Sequence, residues 1–190
     1  MANGFLTESP AARHGSAVFG STANVQYFEH FTCGGIGTQN ITEIGIWGSA
    51  DAATEAYLHL SIFTDDETNT CPEIIVESSD SGELVITSTD VVKTSLTYGT
   101  QPQCTGGVHY WIGLIWKDVN FNIDYISTGG TTVQKAGTYP TWSTGDAWHT
   151  HTDRAFDLGI YAVYVAAAGG SILPLVAFGT LGGNCNPMMG

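Results

Sequence analysis

Apolar and polar residues alternate along this chain in short runs, each closed by Gly, Pro, Asn or Asp. That rhythm is the signature of strands in an all-β fold. In Tyr57-Leu-His-Leu-Ser-Ile-Phe63, Leu58, Leu60 and Ile62 point one way while Tyr57, His59 and Ser61 point the other. Residues 25–32, 41–47, 73–77, 82–87, 91–96, 121–127 and 158–165 read as further strands. His109-Tyr-Trp-Ile-Gly-Leu-Ile-Trp116 is almost continuously apolar, as a central strand buried on both faces should be, and residues 121–127 are expected to pair with it or extend it. No ten-residue stretch carries a helical period; residues 50–56 hold helix formers but read as a connecting loop. Strands spaced about 8–12 residues apart with turn signals between them predict an antiparallel two-sheet arrangement, a β-sandwich or jelly roll. Its core should hold Leu58, Leu60, Ile62, Ile112, Leu114 and Ile160.

The length of 190 residues suits one domain. Residues 1–24 read as an N-terminal arm, 25–165 as the sandwich and 166–190 as an apolar C-terminal arm. That second arm carries Ile172, Leu173, Leu175, Val176, Phe178 and Leu181, too much apolar surface to leave in water. Gly169-Gly170, Pro174, Gly179 and Gly182-Gly183 interrupt it, so it lacks the run of about 18 apolar residues that a membrane span needs. It is expected to pair with the sheet edge of a neighbouring copy, giving a homo-oligomer; covering an open end of its own sandwich is the alternative.

Charge narrows the partners. Five Lys and Arg against eighteen Asp and Glu give a net charge of −13. The five cations are scattered, which argues against nucleic acid and against docking on anionic membranes. Only 12% of residues are charged, and Gly, Ser and Thr fill the difference, a habit of extracellular and virion β proteins. The first residues lack the pattern of a secretory signal, and Met1 favours assembly inside a host cell.

Catalytic motifs are missing from the sequence: it has no G-x-S-x-G, no H-E-x-x-H and no P-loop spacing, so no enzyme is expected. The cysteines show no CxxC pattern, which disfavours zinc. Asp118-Val-Asn-Phe-Asn-Ile-Asp124 lacks the Gly and Glu of an EF-hand loop and reads as a strand instead. Asp65, Asp66 and Glu67 are the better calcium candidates, as loop carboxylates beyond a strand; an acidic turn is the alternative. Trp148-His-Thr-His151, with Asp153, reads as a solvent-facing edge strand, because a metal there would need a third ligand from elsewhere. Tyr139, Trp142 and Trp148 lie in a Gly/Thr-rich stretch, where flat rings either stack on sugars or cap the end of the sandwich. The strand ending at Phe63 should run antiparallel to that beginning at His109, which brings Cys71 and Cys104 to one end and predicts a disulfide between them. Cys33 and Cys185 have no assigned partner.

Tyr57-Leu-His-Leu-Ser-Ile-Phe-Thr-Asp-Asp66 followed by Cys71-Pro-Glu-Ile-Ile-Val-Glu-Ser78 resembles a jelly-roll module of phage virion proteins and bacterial surface proteins. His109-Tyr-Trp-Ile-Gly-Leu114, Thr138-Tyr-Pro140 and Asp157-Leu-Gly-Ile-Tyr-Ala162 are similar to its later strands, in the same order. The resemblance covers about residues 20–165 and rests on core positions. It implies a jelly roll with no catalytic set, either as a capsid decoration, tail or fibre subunit on the virion exterior, or as an extracellular carbohydrate-binding module for cell-surface glycans. Contacts with itself and with other virion proteins would follow from the first.

Overall fold

A computed structural model of the chain describes residues 3–4, 16–18, 24–50, 55–68, 70–117, 121–126, 132–154 and 157–167. The strands are β1 (Asn3–Gly4), β2 (Ser16–Val18), β3 (Val25–Thr32), β4 (Thr38–Ala50), β5 (Ala56–Asp66), β6 (Cys71–Ile75), β7 (Leu84–Ile86) and β8 (Val92–Thr97). They continue as β9 (Gln103–Thr105), β10 (His109–Trp116), β11 (Phe121–Ile126), β12 (Thr132–Ala136), β13 (Thr152–Arg154), β14 (Asp157–Leu158) and β15 (Ile160–Ala166). A 3-10 helix spans Gly145–His149. The fold is all-β, with two antiparallel sheets, as the alternating pattern predicts.

The eight-stranded sheet is organised by β4, its longest strand. Gln39 pairs with both Cys104 and Ala166, and Ile44 with both Leu96 and Ala162, so β9 and β8 share one edge of β4. The other edge takes β15 and then β11. Two stretches of the N-terminal arm join this sheet: Asn3 and Gly4 pair with Tyr164 and Val163, and Ser16–Val18 pairs with β11. The expected pairing of β11 with β10 does not occur. Both edges of β10 are already filled along its length by β3 and β5, which leaves β11 to the opposite sheet.

In the seven-stranded sheet the order is β13-β12-β3-β10-β5, with β6 and β7 on the far edge of β5. Between β6 and β7, serine hydroxyls replace the ladder: Leu60 N donates to Ser81 Oγ at 2.9 Å and Ile62 N to Ser79 Oγ at 3.0 Å.

Between the sheets lies the main core. All six residues read from the sequence are in it, together with Ile41, Ile44, Ile46, Tyr110, Trp116, Phe121 and Ile123. Each fully buried aliphatic side chain contributes about 1.5–3 kcal/mol, so this cluster dominates stability. Among the described residues no helix is long and apolar enough to cross a membrane. The apolar strip Ile172, Leu173, Leu175, Val176, Phe178 and Leu181 lies outside the described residues, as do Cys185 and most of residues 50–56. Before it, Ala167 N still donates to Thr38 O at 3.0 Å.

Candidate functional site

Alternation that sends Leu58, Leu60 and Ile62 inward sends Phe63 outward, and with it Phe28, Trp111 and Val133 from neighbouring strands. An apolar outer face left in water would cost stability; here the segment Gly137–His151 lies over it. Gln26, fully buried, anchors that segment: its Nε2 donates to Thr141 O at 3.0 Å and its Oε1 accepts from Ser143 N at 3.1 Å. Asn24 holds the start through Gly137 N and Tyr139 N. Gly113 makes room: a Cβ there would meet Phe28 Cε1 at 2.7 Å and Trp142 Cζ3 at 2.9 Å.

The three aromatics of this segment divide. Trp148 is 0% exposed, with its ring edge-on to Phe28 at 4.4 Å and its indole N–H donating to Ser143 O at 2.8 Å. It has no face for a sugar, so of the two readings Trp148 follows the one in which the ring packs on the protein itself. Trp142 is half-buried against Phe28 and Phe63, and donates to Asp80 Oδ2 at 3.0 Å. Tyr139 donates to Glu83 Oε2 at 3.0 Å and meets His59 edge-on. Trp148 and its neighbours form the 3-10 helix rather than the edge strand expected from Trp148-His-Thr-His151.

Five histidines are described, and all lie on this outer face or in its covering segment. His59 Nδ1 is 3.0 Å from Asp80 Oδ1, His149 Nε2 is 3.1 Å from Asp66 Oδ2, and His151 Nε2 is 3.1 Å from Asp153 Oδ1. His109 Nδ1 meets Thr32 Oγ1 at 3.0 Å. His30 stacks on His109 at 4.9 Å, and its Nε2 lies 3.8 Å from Asp65 Oδ2. Burial lowers the His30 pKa below 6.5; Asp65 opposes that shift and His109 adds to it. The nearby serines are occupied with backbone: Ser79 Oγ donates to Ile62 O at 3.0 Å and Ser81 Oγ to Gly82 O at 2.7 Å.

The acidic turn also divides. Asp65 Oδ1 accepts the Trp111 indole N–H at 2.6 Å, Asp66 turns to His149, and Glu67 is exposed. Asp65, Asp66 and Glu67 therefore do not converge into a calcium cradle; Asp66 Oδ1 accepts Thr68 N–H at 3.0 Å, as in the alternative reading of an acidic turn. Asp66 instead converges with Cys71 and His149, whose ligand atoms all lie within 4.8 Å of one another. A metal at the Trp148 segment needs ligands from elsewhere, and the β5–β6 hairpin brings two, Asp66 and Cys71, to His149. The spacing of Asp66 and Cys71 across a short turn was a visible signal, whereas the approach of His149 was not.

The predicted Cys71–Cys104 disulfide is not formed, and Cys33, Cys71 and Cys104 are free, buried thiols. Cys71 belongs to the outer cluster and Cys104 to the inter-sheet core with Cys33, so the seven-stranded sheet separates the two. Burial, with help from Asp66, Asp65 and Glu73, pushes the Cys71 thiol up to about 11. Comparison of the chain with known protein families and with curated proteins finds no match.

Proposed function

We propose that this chain is a structural subunit of a bacteriophage particle, a capsid decoration, tail or fibre component, that joins its neighbours through its terminal segments and catalyses no reaction. The observation that supports this reading is strand addition. Asn3–Gly4 and Ser16–Val18 serve as short strands on the eight-stranded sheet, held by main-chain pairing to β15 and β11. Such pairing is the contact by which an extended segment of one copy docks on another, and exchanging identical elements between copies builds closed or open assemblies. The apolar strip from Ile172 to Leu181 adds a second segment suited to the same use. A glycan-binding role has less support, because Trp148 is buried. The test compares, by analytical ultracentrifugation, the full chain with chains lacking residues 1–18 or ending at Ala167, each checked for sheet content by circular dichroism. Assembly of the full chain, and lower mass for at least one folded truncation, is expected. A full chain that stays monomeric at every concentration, or two truncations that assemble just as it does, would overturn the reading.

A further inference from the structure

The geometry points to a divalent transition-metal site of zinc type, formed by Asp66, Cys71 and His149 where the β5–β6 hairpin meets the covering segment. Its first two ligands are set by backbone. Asp66 and Cys71 are directly opposite partners in the β5–β6 ladder, and the turn between them is closed by Thr70 N donating to Asp66 O at 2.8 Å. Opposite residues of an antiparallel pair hold their Cβ atoms about 4.5–5.5 Å apart. The third ligand ends the 3-10 helix, one residue after the fully buried Trp148. The fold thus brings together a ladder pair and a histidine fixed by its neighbour.

Distance and chemistry agree. Four-coordinate zinc with thiolate at about 2.3 Å and imidazole or carboxylate at about 2.0 Å places its ligand atoms about 3.3–3.6 Å from each other. His149 Nε2 and Asp66 Oδ2 are already 3.1 Å apart, and all three ligand atoms lie within 4.8 Å. Small side-chain rotations close the rest. Cys71 is 1% exposed, and among the described residues its thiol takes part in no hydrogen bond, although it faces a carboxylate and an imidazole. Asp66 Oδ1 accepts Thr68 N–H at 3.0 Å, which fixes the carboxylate with Oδ2 directed at His149, the kind of outer support that metal-ligating groups receive. Thiolate, imidazole and carboxylate together suit zinc and its neighbours, whereas calcium and magnesium take oxygen ligands. On binding, the thiol proton leaves to solvent; the thiolate and carboxylate then neutralise the ion. Three protein ligands leave a fourth position for water, reached past the His149 side chain, which is 41% exposed. The ion would clip the covering segment to the hairpin.

Purified full-length chain, titrated with zinc and separately with cobalt, tests this. Expected are one ion per chain and a thiolate-to-cobalt charge-transfer band. His149→Ala, at a partly exposed position, should weaken zinc by more than about 100-fold, beyond the loss typical of an outer-shell partner. Cys71→Ser should abolish the charge-transfer band, and His109→Ala should change nothing. No stoichiometric binding, or binding that His149→Ala leaves intact, or a cobalt complex without the thiolate band, would overturn the proposal.

Discussion

On its inner face the seven-stranded sheet sets Leu58, Leu60, Ile62, Ile112 and Leu114 against a second sheet; on its outer face it sets Phe28, Phe63 and Trp111 against a segment that belongs to no sheet. Both faces carry a buried apolar cluster, but the two are closed differently. The inner cluster is shared by strands from both sheets, so opening it means separating the sandwich. The outer cluster is closed by Gly137–His151, which Gln26, Asn24, Asp80 and Glu83 hold through hydrogen bonds. A segment of that kind is free to leave without the sheets parting, and local opening of this sort takes less free energy than global unfolding. The polar chemistry sits on the second face, where the described histidines and their carboxylates gather.

The sharpest way to break this comparison is a pair of truncations. Leu114→Ala should lower unfolding free energy by about 2–5 kcal/mol, from lost burial plus a cavity in the shared core. Trp148→Ala, although it removes the larger side chain, should lower the global value by roughly half as much or less, while speeding proteolysis within Gly137–His151. Denaturant titration with protease mapping checks both, and a larger global loss for Trp148→Ala would show that the two faces are not independent.

A smaller effect follows from His30. Burial depresses its pKa below 6.5, so the folded chain takes up this proton less readily than the unfolded one. Its contribution to stability is therefore whole above the unfolded value and is lost as pH falls below it toward the folded one. Melting temperatures measured from about pH 7 to about pH 5 should fall less steeply in His30→Asn than in the parent chain. Equal slopes would mean that His30 does not carry the pH response of this face.

The inner face was the legible one. Leu58, Leu60 and Ile62 alternate with polar neighbours, and period-two patterning determines facing without further information. Burial of both faces of β10 was also readable, from the unbroken run Tyr110 to Trp116, but the cause was not. The covering segment is rich in Gly, Thr and Ser, carries no period, and places Trp148 through a single 3-10 turn and contacts more than a hundred residues away in sequence. Short strands escaped for a related reason: Gln103-Cys-Thr105 and Thr152-Asp-Arg154 hold too few residues to show alternation. Of the site, Asp66 and Cys71 could be paired across a turn from the sequence, whereas His149 depends on that covering segment. The disulfide failed because shared position at one end of a sandwich does not determine which side of a sheet each thiol occupies.

The most direct test of the two-faced burial of the seven-stranded sheet is hydrogen exchange of the Trp148 indole N–H, followed by NMR in the full-length chain. This proton is given to Ser143 O at 2.8 Å beneath the covering segment. Slow exchange, many-fold below that of a solvent-exposed indole and accelerated when Gln26 is replaced by Ala, is the predicted result. Exchange at the rate of a free indole would mean that the outer face is open to water and that Gly137–His151 does not close it.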